Sequence, residues 1–292
     1  MKHSAFVLTV ALLAAPVALL AQASGSSSSL LDNEVGAGGG VSRSASSQPV
    51  RPPSTRPFSR FAIGGSVSPL GPGVQVTTII GTHLNLRATG NGFKYTTNFS
   101  TNGFNANAKL NLANAGIAAD IYPFRAGFRI SPGVLFVNNN RVSATSVVAG
   151  GTSFTLNGDT FYSANANSVT GATPLNANAA LGLNTTRPTF TLTTGWGNTI
   201  PRKGGHWSVP FEIGAAFIGS PSLNANLTGW ACYDQAQTEC TNVASTTDPV
   251  ALQIQGDLTQ QIAKWKSDID PIKYYPIVSV GVAYSFGVGG AR

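Results

Sequence analysis

The chain is poor in charge: only 10% of its 292 residues are Asp, Glu, Lys or Arg, against roughly 25% in an ordinary soluble domain. With 42% hydrophobic residues, that excludes a charged disordered polymer. The net charge of +7 is spread thinly, and there is no Lys/Arg-rich block of the kind that marks a nucleic-acid surface. Cysteine is scarce too. Neither Cys232 nor Cys240 has a neighbouring histidine, so the usual Cys/His spacings of a zinc site are missing, and no cofactor is expected. After the first 20 residues no apolar run approaches the ~20 residues that cross a bilayer as a helix. Any insertion of the mature chain into a membrane must use strands.

The N-terminus has a basic start, Lys2 and His3, and an apolar run at residues 5–20 broken only by Thr9 and Pro16. Ala21-Gln22-Ala23 is a small-x-small site. This is the pattern of a signal peptide, residues 1–23, cleaved after Ala23. Residues 24–57 are low in complexity, with Gly25-Ser26-Ser27-Ser28-Ser29 and Gly38-Gly39-Gly40. They cannot bury enough apolar surface to offset their ordering entropy, so a flexible tail is expected.

From residue 58 to 287 apolar residues alternate with small or polar ones. Phe61, Ile63 and Val67 alternate with Ala62, Gly64 and Ser66; Phe211, Ile213 and Phe217 with Glu212, Gly214 and Ala216; Val278, Val280, Val282, Tyr284 and Phe286 with Ser279, Gly281, Ala283 and Ser285. Such strands suit a barrel with hydrocarbon outside and a narrow lumen inside. About eight strands are expected, at 60–68, 74–80, 83–93, 107–122, 127–137, 187–198, 207–219 and 275–287. Short links alternate with long loops at 94–106, 141–186 and 220–273. A hairpin of 153–163 with 173–184 would raise the count to ten. Within 107–122 the apolar parity changes between Leu112 and Ile117, which points to a bulge near residues 113–116. Residues 288–292 form a short tail.

Alternation places Arg87, Asp120, Arg129 and Glu212 in the lumen. A tight turn after Tyr122 would set Asp120 opposite Arg129. Cys232 and Cys240, eight positions apart in one loop of an exported chain, are expected to pair. In the same loop Asp248-Pro249 caps a helix with Leu258, Ile262, Trp265 and Ile269 on one face, ended by Pro271 and open to a break at Gly256. Asp257, Gln260, Gln261 and Lys264 are polar around it. The helix is either a lid or interfacial helix, or a helix packed on neighbouring loops. Of the mature chain's histidines, His83 and His206 both fall at short turns, and neither supplies the His-with-Ser/Asp proximity of a hydrolytic site. The expectation is no catalysis.

Several stretches resemble small bacterial outer-membrane barrels related to the OmpA-type transmembrane domain and the OmpW-like proteins. They are Ala119-Asp120-Ile121-Tyr122-Pro123-Phe124 with Gly127-Phe128-Arg129-Ile130, Gly214-Ala215-Ala216-Phe217-Ile218-Gly219-Ser220-Pro221, and the ending from Tyr274 to Phe286. The resemblance implies an all-β, antiparallel up-and-down transmembrane barrel in the outer membrane, with its lipid and its assembly machinery as partners. In it Gly281, Tyr284 and Phe286 resemble a terminal assembly signal. The functional classes left open are a structural or surface-interaction barrel, a narrow channel for small solutes or apolar molecules, and a secreted soluble β-sandwich adhesin.

If the final strand directs assembly, Phe286→Asp lowers the amount of heat-modifiable barrel in the outer-membrane fraction. Unchanged amounts would argue against that role.

Overall fold

Strands with one apolar and one small or polar side can bury neither side by pairing alone; closing the sheet on itself solves this. The structure, a computed structural model, describes residues 56–101, 103–124, 127–183, 188–202 and 204–288. The expected signal peptide with Ala21 and Ala23, nearly all of the 24–57 segment and the last four residues lie outside the described residues.

In chain order the elements are β1 (Arg60–Ser68), β2 (Gly71–Ile79), β3 (Leu84–Thr101), β4 (Phe104–Ile121), β5 (Arg129–Asn138) and β6 (Arg141–Val148). Next come β7 (Ser153–Leu156), β8 (Asp159–Ser163), β9 (Asn176–Gly182), β10 (Thr189–Trp196), β11 (Trp207–Ser208) and β12 (Phe211–Phe217). The last are β13 (Ser222–Thr228), β14 (Trp230–Cys232), β15 (Cys240–Asn242), α1 (Pro249–Ile269) and β16 (Tyr274–Gly287). Eight strands close an antiparallel ring in the order β1, β2, β3, β4, β5, β10, β12, β16 and back to β1. The ring excludes the two-sheet sandwich. All eight expected strands are its members, and among the described residues no further strand enters it.

Outward positions around the ring are apolar and exposed, among them Ile63, Val76, Leu86, Ile117, Ile130, Leu192, Ile213 and Val280. Aromatics gather toward the end where the chain enters and leaves: Phe61 stacks on Phe286, and Trp207 meets Tyr284 edge-on. The strand expected at 207–219 is two pieces, β11 and β12, because Pro210 has no N–H to give the ladder. The register with β16 carries straight across the gap.

The expected bulge lies on the neighbouring strand. Ala115 pairs with Val137 but Gly116 with Leu135, so the extra residue is Phe136 of β5, and Phe136 and Val137 are both exposed. β4 itself keeps its parity. Leu110 and Leu112 share a side with the buried Asn114 and Asp120 because that side of the strand changes surroundings above the barrel.

The long links are folded rather than looped. β3 and β4 stay paired from Leu84–Ile121 to Thr101–Phe104, well past the ring, and β6, β9 and β13 extend β4 into a five-stranded outer sheet. Residues 153–163 do not pair with 173–184. They form their own hairpin, β7 and β8, which joins β14 and β15 in a separate four-stranded sheet. Asn157-Gly158 turns that hairpin with φ of 53° and 111°, the left-handed pair a tight two-residue turn requires. Cys232 and Cys240 face each other across β14 and β15 and are bonded. Within their ring the Asp234 carboxylate accepts the backbone N–H groups of Glu239 and Thr238, which hold it below the usual carboxylate range.

The helix α1 starts where expected. Asp248 Oδ1 accepts from the N–H groups of Val250 and Ala251 at 2.9 and 3.1 Å, and Gly256 does not break it. Its packed face differs from the expected one. Ala251 and Ile254 are buried, with Val250 and Leu258 against the same core of Val148, Leu156, Phe161, Leu175, Ala231 and Val243. Trp265 is exposed. The polar row is a docking face: Asp257 and Gln260 accept from the Asn157 side-chain amide, Gln261 accepts its backbone N–H, and Lys264 donates to its side-chain Oδ1. α1 is therefore a packed element of the outer subdomain.

Ile254→Ala removes the centre of that core and should cost about 2–5 kcal/mol. Limited proteolysis should then cut between residues 150 and 270 while the barrel remains heat-modifiable. Simultaneous loss of the barrel would show that the two parts do not fold separately.

Candidate functional site

An eight-stranded ring leaves an interior just wide enough for its own side chains. Inward positions carry Arg87, Asp120, Arg129 and Glu212, all buried as the alternation requires. They form a chain of alternating sign. Arg87 binds Asp120 through Nε and Nη2 at 3.1 and 3.0 Å and Glu212 through Nη1 at 2.8 Å; Arg129 Nη2 reaches the same Glu212 at 2.9 Å. Hydroxyls add to both carboxylates: Ser131 donates to Asp120 Oδ1, which Arg87 also binds, and Thr193 to the otherwise unpaired Glu212 Oε1, each at 2.7 Å. Two cations and two anions cancel, and each is hydrogen-bonded, which buried charges require.

The partners differ from those expected. Ile121 pairs with Ile130, so Asp120 lies across from Ser131, not Arg129. The turn after Ile121 is two residues longer in register than the tightest one. A shift of two keeps every side chain on its side, so the facing holds and only the pairing changes. Arg129 instead turns to Glu212, across Gly195, which pairs with both. A Cβ at Gly195 would stand 2.3 Å from the Phe211 carbonyl oxygen and 3.3 Å from the Arg129 guanidinium carbon. A side chain there would clash with the neighbouring strand's backbone and crowd the guanidinium.

Both ends of the lumen are covered. At the loop end the Pro69–Leu70 turn between β1 and β2 folds inward. Tyr275 donates to the Pro69 carbonyl at 3.0 Å and Asn114 to the Leu70 carbonyl at 2.9 Å. Leu70 packs with Leu135, Ala216, Ile218, Tyr275 and Ile277. At the terminal end the link between β10 and β11 turns into the barrel. Ile200 is buried against Ala62 and Ile79; Arg60 and Arg129 donate to the carbonyls of Pro201 and Gly197, each at 2.7 Å. Arg202 lies over the buried Tyr122 ring. Between the covers remains a cavity of about 60 Å³ bordered by Arg87, Thr191, Thr193 and Glu212, large enough for a few waters.

Arg60, Asn85, Asn114, Asn138 and Asn140 are buried inside as well, and sequence reasoning did not single them out. Asparagine is depleted in strands, so Asn at inward positions was the available signal. His83 is exposed at its turn beside Thr82, and His206 bonds the Ser285 carbonyl and stacks on Tyr284. Among the described residues, no group of three or more His, Cys, Asp or Glu is placed to hold a metal ion.

The fold and lumen define a class: a closed eight-stranded β-barrel, filled by an ion-paired network and extended at one end into a folded subdomain. No family model matches the chain, and no curated protein sequence matches it. Crystal structures of Acinetobacter baumannii CarO and CarO2 are similar, each at 18% identity and a TM-score of 0.47, over 79% of this chain and 98% and 100% of theirs. A likeness of that degree supports no statement about activity.

The charge chain makes a quantitative prediction. Arg87→Met or Asp120→Asn alone should cost roughly 3–5 kcal/mol, because a buried charge loses its partner. The double variant should cost clearly less than the sum. Equilibrium refolding in lipid or detergent measures this; additive losses for Arg87 and Asp120 would contradict the pairing.

Proposed function

We propose that the chain is an outer-membrane β-barrel protein of bacteria that spans the bilayer as a closed, non-conducting body and presents its outer subdomain at the cell surface for interaction. The exported N-terminus, the outward apolar ring and the aromatic belt support the membrane setting. On this reading the terminal end is periplasmic and the loop end extracellular, the assembly machinery inserts the chain, and Gly281, Tyr284 and Phe286 serve as its terminal signal. The reading assigns no catalysis and no cofactor.

The observation that carries it is the lumen. A conducting pore needs a continuous water path, and here the ion-paired chain crosses the middle while Leu70 and Ile200 close the two ends. The folded outer elements point to surface interaction, because a barrel alone has no need of an outer sheet, a disulfide and a 21-residue helix. The narrow-channel reading draws support from the mid-lumen cavity, and it requires the Pro69–Leu70 turn to swing out.

Membrane fractionation should recover the protein with the outer membrane, and the refolded protein in planar bilayers should give no steady conductance steps. Regular steps would favour the channel; recovery from the medium would remove the membrane setting.

A further inference from the structure

The strands that leave the barrel wall change chemistry in a fixed order along their outward side. At barrel level that side is apolar, with Leu84 and Leu86 of β3 and Ile117 and Ile121 of β4 exposed. The β3–β4 register runs without a break to the tip, so the same side continues above the ring. There it meets Lys94 and Lys109, with Arg141 joined to Lys94 through Asn111 in one row across the strands. All three cations are exposed, and none takes part in a salt bridge among the described residues. Farther out comes a row that crosses all five strands of the outer sheet: Asn98, Asn107, Thr145, Asn178 and Asn226. The described part of this face contains no Asp or Glu.

The order apolar, cationic, then amide and hydroxyl is that of a glycolipid met from its chains upward. Acyl chains lie against the barrel, anionic groups at the headgroup level, and sugars beyond. Adjacent strands are about 4.8 Å apart and alternate residues about 6.7 Å apart along a strand, so the amides form a lattice of closely spaced donors and acceptors. Each Asn supplies both roles, as each sugar hydroxyl does, and water can bridge imperfect contacts. The cations suit phosphate or carboxylate groups at a membrane surface, and the lack of a carboxylate on the face leaves nothing to repel them.

We propose that the outward face of the outer sheet binds the anionic glycan headgroup of a glycolipid in the leaflet surrounding the barrel. The inference rests on the membrane setting proposed above. It gives the outer subdomain a partner: Lys94, Lys109 and Arg141 hold the anionic part, and the row from Asn98 to Asn226 holds the sugars.

The test uses the full mature chain refolded into nanodiscs, with three probes: lipopolysaccharide bearing its core sugars, its phosphorylated lipid disaccharide alone, and phosphatidylglycerol. The sugar-bearing probe should bind at least about tenfold tighter than the disaccharide, and phosphatidylglycerol most weakly. Replacing Lys94, Lys109 and Arg141 together by Gln should weaken both phosphorylated glycolipids at least about tenfold. Replacing Asn98, Asn107 and Asn178 by Ala should weaken only the sugar-bearing probe. Equal binding of all three probes, or no loss in the charge variant, overturns the proposal. Heat-modifiable migration of the same samples reports separately whether a membrane barrel has formed, so failure of the glycolipid site is distinguishable from failure of the membrane reading.

Discussion

The alternating chain Asp120–Arg87–Glu212–Arg129 is the constraint on which the barrel depends. Its members come from the consecutive strands β3, β4 and β5 and from β12, about eighty residues further on, and they meet because an eight-stranded ring has no room for four solvated charges. Each ion would be costly to bury alone, and the chain offsets that cost only if all four are in register. One-residue slips would turn a charge outward into the apolar band. The network therefore specifies the register of the ring as much as it stabilises it. Gly195 shows how closely it is fitted, since a single Cβ there would clash with the Phe211 carbonyl and crowd the guanidinium of Arg129.

The covers at the two ends follow the same logic. Buried turns expose backbone carbonyls that need donors, and lumen side chains supply them: Tyr275 and Asn114 to the Pro69–Leu70 turn, Arg60 and Arg129 to the link at Gly197 and Pro201. Arg129 thus belongs both to the ion-paired chain and to the terminal cover. Rigidity of the wall, filling of the lumen and closure of its ends are one hydrogen-bonded system rather than three separate features.

Much of this was legible in the sequence. Strict alternation located the eight ring strands and the inward facing of the four charges, because a side-chain period of two leaves only two choices at each position. The disulfide and the Asp248 cap were local signals and appear where expected. What alternation could not carry was cross-strand partnership. Asp120 keeps its facing yet lies opposite Ser131, because turn length sets register and Pro123–Gly127 does not announce its own. Leu110 and Leu112 look like a parity switch only if a strand has one environment along its whole length. β4 has two, a polar lumen below and, above it, a half-exposed apolar patch where Leu110 and Leu112 lie beside Phe93, Tyr95 and Val142. The partner of the polar row of α1 was not legible, because nothing in the sequence says that Asn157, about a hundred residues earlier, comes to rest on it.

A sealed and filled lumen is tested by the reactivity of a single thiol introduced at Thr191, which borders the mid-lumen cavity, toward a small charged alkylating reagent in the refolded, disulfide-intact protein. Labelling should be at least about a hundredfold slower than for a thiol at the exposed Asn98, with protection lost when Leu70 is replaced by Gly. Labelling of both positions at the same rate would mean that water and ions pass through the barrel, and would contradict a closed lumen.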